Sequence, residues 1–361
     1  MNTLWSGVLE QYRQWLPLSD NEQIVTLYEG NTPLVPAPAL AAGLLSQAPL
    51  RLYLKFDGAN PTGSFKDRGM TLAVTKAVAA GARVLLCAST GNTSAAAAAY
   101  AAAAGIEAAV LLPHGGVAAG KLAQAIAYGA RLITIDGTFD QALAIVTELA
   151  AGRPAVALVN SVNPFRIQGQ MTAAFEITDQ LAAFGEAAPA VLALPVGNAG
   201  NITAYWYGFQ KLKEAGRIHQ LPQLLGFQAE GSAPLVSGHP VEHPETVASA
   251  IRIGNPASGP TAQAAVNDTG GRFTAVSDQN ILSAQRQIAA ATGIFCEPAS
   301  AASVAGLIKL AEQGYFDAHP PCGPVVCVLT GHGLKDPQAV MNVALPDPLP
   351  PDPQQVVKQL F

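Results

Sequence analysis

The sequence predicts an α/β protein of doubly wound parallel sheets, and two observations carry this prediction. Short apolar runs alternate along the chain with longer, alanine-rich stretches of helical composition. Most of the runs are apolar throughout, which indicates strands buried on both faces, as in parallel sheets covered by helices. Alternating β and α elements are typical of a doubly wound fold. The length of 361 residues favours two domains over a single core.

The elements follow one another in a regular order. The predicted strands are RLYLKF (51–56), RVLLCAS (83–89), AAVLLP (108–113), RLITID (131–136), AVALVN (155–160), VLALPVG (191–197), LLGFQAE (224–230) and VVCVLT (325–330). The predicted helices lie near 64–80, 93–104, 118–128, 139–151, 168–184, 200–215, 278–291 and 299–313. The proline-rich tail, 346–361, is expected to be an extended arm.

Composition narrows the class of protein. Half of the residues are hydrophobic, 12% are charged and the net charge is −5, which suits a chain that buries much of its surface. No basic patch appears, so we expect no nucleic-acid partner. The cysteines lack metal-ligand spacing, and no metal site is expected. The N-terminus resembles no signal peptide, and Gly105 and Glu107 interrupt the alanine-rich run, so we expect a cytoplasmic protein without a membrane partner.

Ligands of doubly wound sheets bind where strands end and helices begin, and four such turns are chemically unusual. The first is NPTGSFKDRGM, 60–70, where Ser64 and Asp67 fit a capping box and predict a helix from Ser64. Lys66 then lies in the first turn, where the helix dipole disfavours a cation. It is either an ordinary solvated lysine or an amine whose pKa is lowered so that it acts as a nucleophile or base.

Two further turns offer single polar side chains. In ASTGNTSAAAA, 88–98, Gly91 permits a tight turn and Asn92 presents an amide that can donate and accept hydrogen bonds. In VLTGHGLKDP, 328–337, Thr330 ends a strand just before two glycines. Either turn could be an ordinary connection, since a strand-terminal threonine often bonds its own backbone.

The remaining turn, PVGNAGNITAYW at 195–206, has the composition of an anion-binding loop. A buried strand runs through Gly-Asn-Ala-Gly-Asn into a helix, and the backbone N–H groups of such a turn bind phosphate well. The loop lacks the Gly-Lys-Thr/Ser ending of the Walker A motif, and its glycines do not have the spacing of the dinucleotide fingerprint.

Together the four turns supply a lysine amine, an amide, a phosphate cradle and a hydroxyl at strand ends. Pyridoxal 5′-phosphate (PLP) requires this set, because its aldehyde combines with a lysine, its phosphate needs an anion site, and its ring oxygen and ring nitrogen each need a partner. The combination favours the reactive interpretation of Lys66.

Seven segments resemble those of the bacterial threonine synthases, in the tryptophan-synthase-β group of PLP enzymes. They are NPTGSFKDRGM, ASTGNTSAAAAAYAA, SVNPFRIQGQ, LPVGNAGNITAYW, HPETVASAIRIGNPAS, EPASAAS and VLTGHGLKDP, in order within 28–340. The resemblance implies fold type II, with two doubly wound α/β domains and the cofactor in the cleft between them. It places a smaller domain at 51–155, with the lysine at its edge, and a larger one at 1–50 and 156–361. It also implies a homodimer.

The resemblance further implies conversion of O-phospho-L-homoserine and water to L-threonine and phosphate, by γ-elimination and β-addition of water. Lys66 matches the Schiff-base lysine, Asn92 the partner of the ring oxygen, and Thr330 the hydroxyl facing the pyridine nitrogen. The cofactor-phosphate loop is matched by Gly197, Asn198, Ala199, Gly200 and Asn201.

The phosphate of the substrate needs a second anion site. Arg166, a lone cation in SVNPFRIQGQ, is the first candidate, because its guanidinium could hold a phosphate in bidentate fashion. Alternatively, Arg166 is a structural residue paired with a carboxylate such as Glu176. Further candidates for the substrate's phosphate or carboxylate are Lys55, Ser161, Ser89, Thr90 and Thr93. Glu297 resembles part of a family loop near the cofactor, without a defined role.

Two alternatives stay open. One is another enzyme of the same fold, such as threonine dehydratase or cysteine synthase, although their phosphate loops are usually richer in glycine than GNAGN. The other is a protein that binds PLP or a nucleotide without turnover, which the intact Lys66 disfavours.

Overall fold

The structure, a computed structural model, describes residues 4–42, 50–89, 91–114, 119–338, 348–351 and 353–360. Within these ranges the strands, numbered β1 to β10, are Leu34–Pro36, Leu52–Phe56, Val84–Ala88, Glu107–Pro113, Arg131–Ile135, Val156–Leu158, Val191–Pro195, Gln223–Ala229, Arg272–Val276 and Val325–Leu329.

The α-helices of the described ranges are numbered in the same way. Helices α1 to α15 are Val8–Gln11, Pro38–Ala41, Lys66–Ala79, Asn92–Ala104, Ala119–Ala127, Phe139–Ala151, Pro164–Gln170, Thr172–Ala183, Gly200–Glu214, Pro234–Ser237, Gly259–Asp268, Asp278–Thr292, Pro298–Glu312, Tyr315–Ala318 and Pro353–Leu360. Short 3-10 helices lie at Arg13–Trp15, Asp57–Ala59, Ser249–Ile251 and Gly333–Lys335.

The strands form two sheets. One has six strands in the order β1-β2-β10-β7-β8-β9, and the other has four in the order β5-β4-β3-β6. Only the β1–β2 pair is antiparallel among the pairs described. The predicted α/β class with parallel sheets is therefore confirmed.

The sheets do not follow the predicted domain boundaries at 51 and 155. Strand β2 lies in the six-stranded sheet, although the prediction placed it in the smaller domain. Strand β6 lies in the four-stranded sheet, although the prediction placed it in the larger one. Apolar composition identifies a buried strand but not its neighbour, so these two strands could not be assigned from sequence. The division into domains itself remains a prediction.

All eight predicted strands are present, and their burial explains why they were recognisable. Every residue of β7 and β10 is buried, because helices cover both faces of the larger sheet. Strand β5 differs, since it lies at the edge of the smaller sheet and leaves Ile133 41% exposed. The cysteines Cys87 and Cys327 lie in buried strands, as their apolar surroundings indicated.

The alanine-rich run forms helix α4, which packs on the four-stranded sheet. Residues 95–101 of α4 are buried, and the helix contacts α3, α5, β3 and β4. Small side chains let it lie close to all four neighbours. In the part of the chain that the structure describes, no helix has both the length and the apolar composition needed to cross a bilayer.

Helices α3 and α7 cross at two glycines. A Cβ atom added to Gly169 would lie 2.2 Å from the carbonyl oxygen of Arg68, and one added to Gly69 would lie 2.6 Å from that of Arg166. Only glycine allows the two backbones to approach this closely. The predicted helix 168–184 is two helices in the structure, since α7 ends at Gln170 and α8 begins at Thr172.

Other elements differ from the prediction at the ends and edges of the fold. Strand β9 and helix α11 were not predicted, and β9 mixes exposed and buried residues because it is an edge strand. The tail is not extended throughout, because 353–360 is helical. The proline of that helix, Pro353, occupies its first position, where the missing N–H costs no hydrogen bond. The rest of the predicted arm is described only at 348–351, which has no helix or strand.

A buried ionic cluster ties β2, α3 and α8 together. Arg68 donates to Asp57 at 2.9 Å and to Glu176 at 2.8 Å. Lys55 donates to Glu176 at 2.5 Å and to the carbonyl of Thr32 at 2.8 Å. Both cations are 0% exposed. Burial alone would raise the pKa of Glu176, but the charges of Arg68 and Lys55 outweigh it and hold that pKa well below its usual range.

We expect Glu176→Gln to destabilise the protein by about 3–5 kcal/mol, because the variant leaves two buried cations with less than their full countercharge. The measurement is the free energy of unfolding from urea titration. The matched control is Glu107→Gln, since Glu107 and Arg131 form an exposed pair in which the glutamate side chain is 60% exposed. Exposed pairs contribute at most about 1 kcal/mol. Equal losses in the two variants would contradict a special role of the cluster.

Candidate active site

The turn that carries Lys66 (60–70, here called the lysine turn) is hydrogen-bonded to the end of the central strand β10. The N–H of Phe65 donates to the carbonyl of Thr330 at 2.9 Å, and the N–H of His332 donates to the carbonyl of Gly63 at 2.9 Å. Gly63 has φ +85°, a conformation that side chains other than glycine rarely adopt. This pairing places Lys66, the first residue of α3, directly beside the carboxyl end of β10.

The predicted capping box at Ser64 is wrong. Helix α3 begins at Lys66, and the buried Ser64 hydroxyl has no hydrogen-bond partner among the described residues. The carboxylate of Asp67 instead folds back to accept from the N–H of Thr62 at 2.7 Å and from its hydroxyl at 2.5 Å. Asp67 therefore rigidifies the turn before the lysine rather than capping the helix.

Lys66 is half-buried, and its ammonium group lies 4.5 Å from the centre of its own Phe65 ring. Burial lowers the pKa of Lys66 to about 7, with the positive charge of Arg166 acting in the same direction and the charge of Glu297 opposing it. The direction agrees with the sequence-based interpretation, but the main cause is lost hydration and not the helix dipole. A large fraction of this amine is neutral near pH 7, as a nucleophile or base requires.

Asn92 opens α4 and faces the larger sheet. Its amide nitrogen donates to the two carboxylate oxygens of Glu297 at 3.2 and 3.4 Å. Glu297 is 3% exposed, and its own N–H donates to the carbonyl of Gly331 at 3.0 Å. Burial raises the pKa of Glu297 to about 7, and the hydrogen bond from Asn92 opposes that shift. The contact joins residues that are 205 positions apart.

Thr330 presents its hydroxyl next to a second one. The Thr330 and Ser300 hydroxyl oxygens lie 3.0 Å apart, and both residues are buried. The Ser300 oxygen also accepts from the N–H of Gly331 at 2.8 Å. The end of β10 thus offers a pair of neutral hydroxyls, and no hydrogen bond or ion pair described for Thr330 involves a carboxylate.

The GNAGN loop connects β7 to α9 with its amides free. Within the described chain, no acceptor is paired with the backbone N–H groups of residues 197–201. Ala199 has φ +63° and turns the chain into the helix. A Cβ atom on Gly197 would lie 2.9 Å from Cα of Ile251, so a side chain cannot fit there. Asn198 braces the loop, donating to Ser161 at 2.5 Å and accepting from the N–H of Ala257 at 2.6 Å.

Arg166 is 0% exposed and only partly satisfied. One terminal nitrogen donates to the carbonyl of Val159 at 2.6 Å, and the other two guanidinium nitrogens have no partner in the described residues. Burial lowers the pKa of Arg166 to about 10. The alternative pairing with Glu176 is wrong, because Glu176 belongs to the Arg68 cluster. Two unpaired donors on a buried cation match the needs of an anionic ligand.

The remaining candidates divide into three groups. Lys55 is excluded as a ligand of the substrate, because its ammonium is buried in the bonds of the ionic cluster. Ser161 contacts the loop through Asn198, and Ser89 and Thr93 flank Asn92 at the end of β3 and the start of α4, both half-buried. Thr90 lies outside the described residues.

Sequence reasoning missed two contributors. The Ser300 hydroxyl could have been suspected from EPASAAS, where small residues follow a buried acid at the start of a helix. No pattern in the sequence singled out Lys335. Its ammonium donates to the carbonyl of Thr62 at 3.1 Å and to Gln124, and so links the lysine turn to α5. Burial lowers its pKa.

Comparison with known proteins identifies the family of this site. A family model described as "Pyridoxal-phosphate dependent enzyme" matches residues 25–331. The chain belongs to this family.

Several curated relatives of the chain in this PLP-dependent family are named threonine synthase. The protein of Synechocystis sp. is 58% identical over 339 residues, covering 94% of this chain and 86% of its own length. The protein of Mycobacterium bovis is 54% identical over 357 residues, covering 99% and 96%.

Solved structures confirm the fold type II architecture of this PLP-dependent chain. A threonine deaminase from T.th. has a TM-score of 0.68 and 26% identity, covering 89% of this chain and 95% of its own. Maize serine racemase has a TM-score of 0.73 at 17% identity, covering 99% and 97%, and so shows the fold alone.

The residues of the site fit the cofactor of the family. Five consecutive free N–H groups before and at the start of a 15-residue helix suit its phosphate. The buried Ser64 hydroxyl and the Asn201 amide nitrogen, both without described partners, lie in the two turns expected to hold it. The Lys66 amine is neutral enough near pH 7 to combine with an aldehyde.

We expect the cofactor-free protein to be modified at Lys66 with a half-maximal rate near pH 7, because the neutral amine reacts and its pKa is about 7. Peptide mapping after brief treatment with an amine reagent at several pH values gives the profile. Arg166→Gln should move the midpoint to higher pH, since one of the charges that lower it is removed.

The matched control is Arg217→Gln, because Arg217 pairs with Asp179 at the surface with 48% of its side chain exposed. This variant should keep the wild-type midpoint. A wild-type midpoint near the ordinary lysine value of about 10.4 would contradict the electrostatic account.

Proposed function

We propose that the protein is a threonine synthase, which converts O-phospho-L-homoserine and water to L-threonine and phosphate. Curated threonine synthases match nearly the whole chain at 51–58% identity. The observation that carries the proposal is that the chain offers donors for two anions: the free backbone N–H groups of the GNAGN loop, and the two guanidinium nitrogens of buried Arg166 that have no partner in the described residues. A phosphorylated substrate bound to a phosphorylated cofactor requires two such sites.

Bound PLP supplies a conjugated ring that stabilises negative charge at the α-carbon of the substrate. Lys66 Nζ would be the atom that holds the cofactor, and its free amine would accept the α-proton and return it, as a base with a pKa of about 7 can do at neutral pH. Asn92 donates an amide N–H toward the ring oxygen. Thr330, with Ser300 beside it, offers a neutral hydroxyl to the ring nitrogen and does not protonate it, since a hydroxyl is too weak an acid.

Arg166 holds the substrate phosphate through its two free nitrogens, and Ser161, Ser89 and Thr93 supply further hydrogen bonds to the substrate's phosphate or carboxylate. The same proposal includes a cytoplasmic homodimer with two α/β domains, as the resemblance implies. The hydrogen bond from Asn198 to the Ser161 hydroxyl supports this role for Ser161, because Ser161 then lies beside the GNAGN loop.

Two competing functions remain testable. The threonine deaminase from T.th. has the same fold, but at 26% identity it is far more distant than the threonine synthases. Threonine and O-acetylserine carry no phosphate and would leave the free nitrogens of Arg166 unpaired, at a cost of about 1–3 kcal/mol or more for buried charged groups. A binding protein without turnover would not need a lysine with a pKa of about 7.

We expect the purified protein to release phosphate from O-phospho-L-homoserine with one equivalent of threonine, and Lys66→Ala to abolish this turnover. The reason is that the variant loses both the attachment atom and the proton carrier. Phosphate release and amino-acid analysis measure the reaction, with threonine and O-acetylserine as separate test substrates. Turnover of either of these without reaction of phosphohomoserine would overturn the proposal.

We expect Arg166→Lys to raise KM for phosphohomoserine about tenfold or more, since hydrogen bonds to a charged group contribute about 1.5–3 kcal/mol and the planar fork is lost. The visible spectrum of the bound cofactor should be unchanged. Arg217→Lys is the matched control at the surface. Misfolding of Arg166→Lys, with normal KM in the folded remainder, would make Arg166 a structural residue.

A further inference from the structure

Glu297 is a buried acid that the proposed mechanism does not use. It is 3% exposed, immediately before α13, and none of the ion pairs described includes it. Burying a carboxylate without an ion pair is expensive, so the position calls for a reason. Helix capping is not that reason, because the Glu297 side chain makes no capping hydrogen bond to α13.

The Glu297 side chain is held in one position. Its carboxylate receives the Asn92 amide nitrogen at 3.2 Å, and its backbone N–H is bonded to Gly331 at 3.0 Å. A Cβ atom on Gly331 would lie 2.4 Å from a carboxylate oxygen of Glu297, so the glycine leaves room for the carboxylate in this position. These contacts place the carboxylate beside Asn92 at the end of β10.

The chemistry of the pair selects one orientation of the amide. An ionised carboxylate can only accept hydrogen bonds, so the Asn92 atom that faces it must be the nitrogen. The amide nitrogen has two N–H groups, and Glu297 takes one of them. If the amide turned over, its oxygen would face the carboxylate and the two acceptors would repel each other.

We infer that Glu297 is a positioning residue: its carboxylate fixes the Asn92 amide so that the second N–H points into the cofactor site. This rests on the role proposed above for Asn92 toward the ring oxygen of PLP. The pair links the two sheets. Asn92 is the first residue of α4, which packs on the four-stranded sheet, and Glu297 precedes α13, which packs on the six-stranded sheet.

The charges of Lys335 and Lys66 oppose the effect of burial on the pKa of Glu297 only in part. Burial has the largest effect on the pKa of Glu297 and brings it to about 7, while Lys335 and Lys66 lower it and Asp336 raises it. Above pH 7 the carboxylate predominates, and the orientation of the amide is then fixed. The influence is mutual, because the charge of Glu297 also raises the pKa of Lys66.

A double-mutant cycle on the holoenzyme tests the inference. The variants are Glu297→Gln, Asn92→Ala and the double variant, and the readouts are the Kd for PLP and the visible spectrum of the bound cofactor, both without substrate. Glutamine can donate to the Asn92 oxygen, so Glu297→Gln permits the wrong orientation. We expect it to raise Kd about tenfold and shift the visible band, a coupling within the usual range for contacting residues.

In the Asn92→Ala background, Glu297→Gln should change Kd less than about twofold and leave the band in place, because the residue acts through Asn92. Ser303→Ala is the matched control in α13: its hydroxyl is buried and bonds the carbonyl of Ser300 at 2.9 Å without contacting Asn92. Its effect on Kd should be the same in both backgrounds.

Equal effects of Glu297→Gln in the two backgrounds, or no effect in either, would overturn the inference. If Glu297→Gln does not fold, Glu297→Asp replaces it in the same cycle, since it keeps the charge but shortens the side chain by one methylene. The measurements need no substrate, so they hold even if phosphohomoserine proves not to be turned over, and failure of the threonine synthase assignment would be seen separately.

Discussion

The crossing of α3 and α7 at Gly69 and Gly169 is the constraint on which the site depends. At this point the backbones are so close that a Cβ atom on Gly69 would lie 3.1 Å from Nε of Arg166. The crossing therefore holds the buried guanidinium of α7 against the helix that begins with Lys66. Two cations on neighbouring helices repel, and in a region with little water the weaker one yields its proton first. Burial remains the main cause of the lowered pKa of Lys66, and the charge of Arg166, held nearby by this packing, acts in the same direction.

Arg68 in the ionic cluster and Arg166 in α7 differ in how far their hydrogen bonds are satisfied. Arg68 lies two residues after Lys66 on the same helix, yet its hydrogen bonds are filled by Asp57 and Glu176. Arg166 lies on the facing helix with two donors unfilled. The same residue type, equally buried, is thus fully hydrogen-bonded in one case and keeps two unpaired donors in the other, which we propose bind an anion. The distinction lies in the partners, which only the folded chain reveals.

The sequence predicted what depends on local composition and missed what depends on partners. Most of the eight predicted strands were recognised because they are apolar on both faces, whereas β9, RFTAV, was missed because it mixes charged, polar and apolar residues. The residues of the turns were singled out because glycine, asparagine and threonine at strand ends are unusual. The capping box was wrong because the Asp67 carboxylate finds the Thr62 N–H instead. Lys55 was misassigned and Glu297 left without a role, since their partners lie 121 and 205 residues away.

Ala199 restricts the shape of the GNAGN loop, the proposed phosphate site. A left-handed alanine costs about 1 kcal/mol relative to a right-handed one, and glycine would avoid that cost. The residue, however, is only 4% exposed and belongs to the core cluster that includes residues of α9. Packing and the narrower conformational freedom of alanine keep the loop in a single shape, so little backbone entropy remains to be lost when a phosphate enters. The free energy lost to the left-handed backbone of Ala199 is offset by a loop that already has its binding shape, as preorganisation requires.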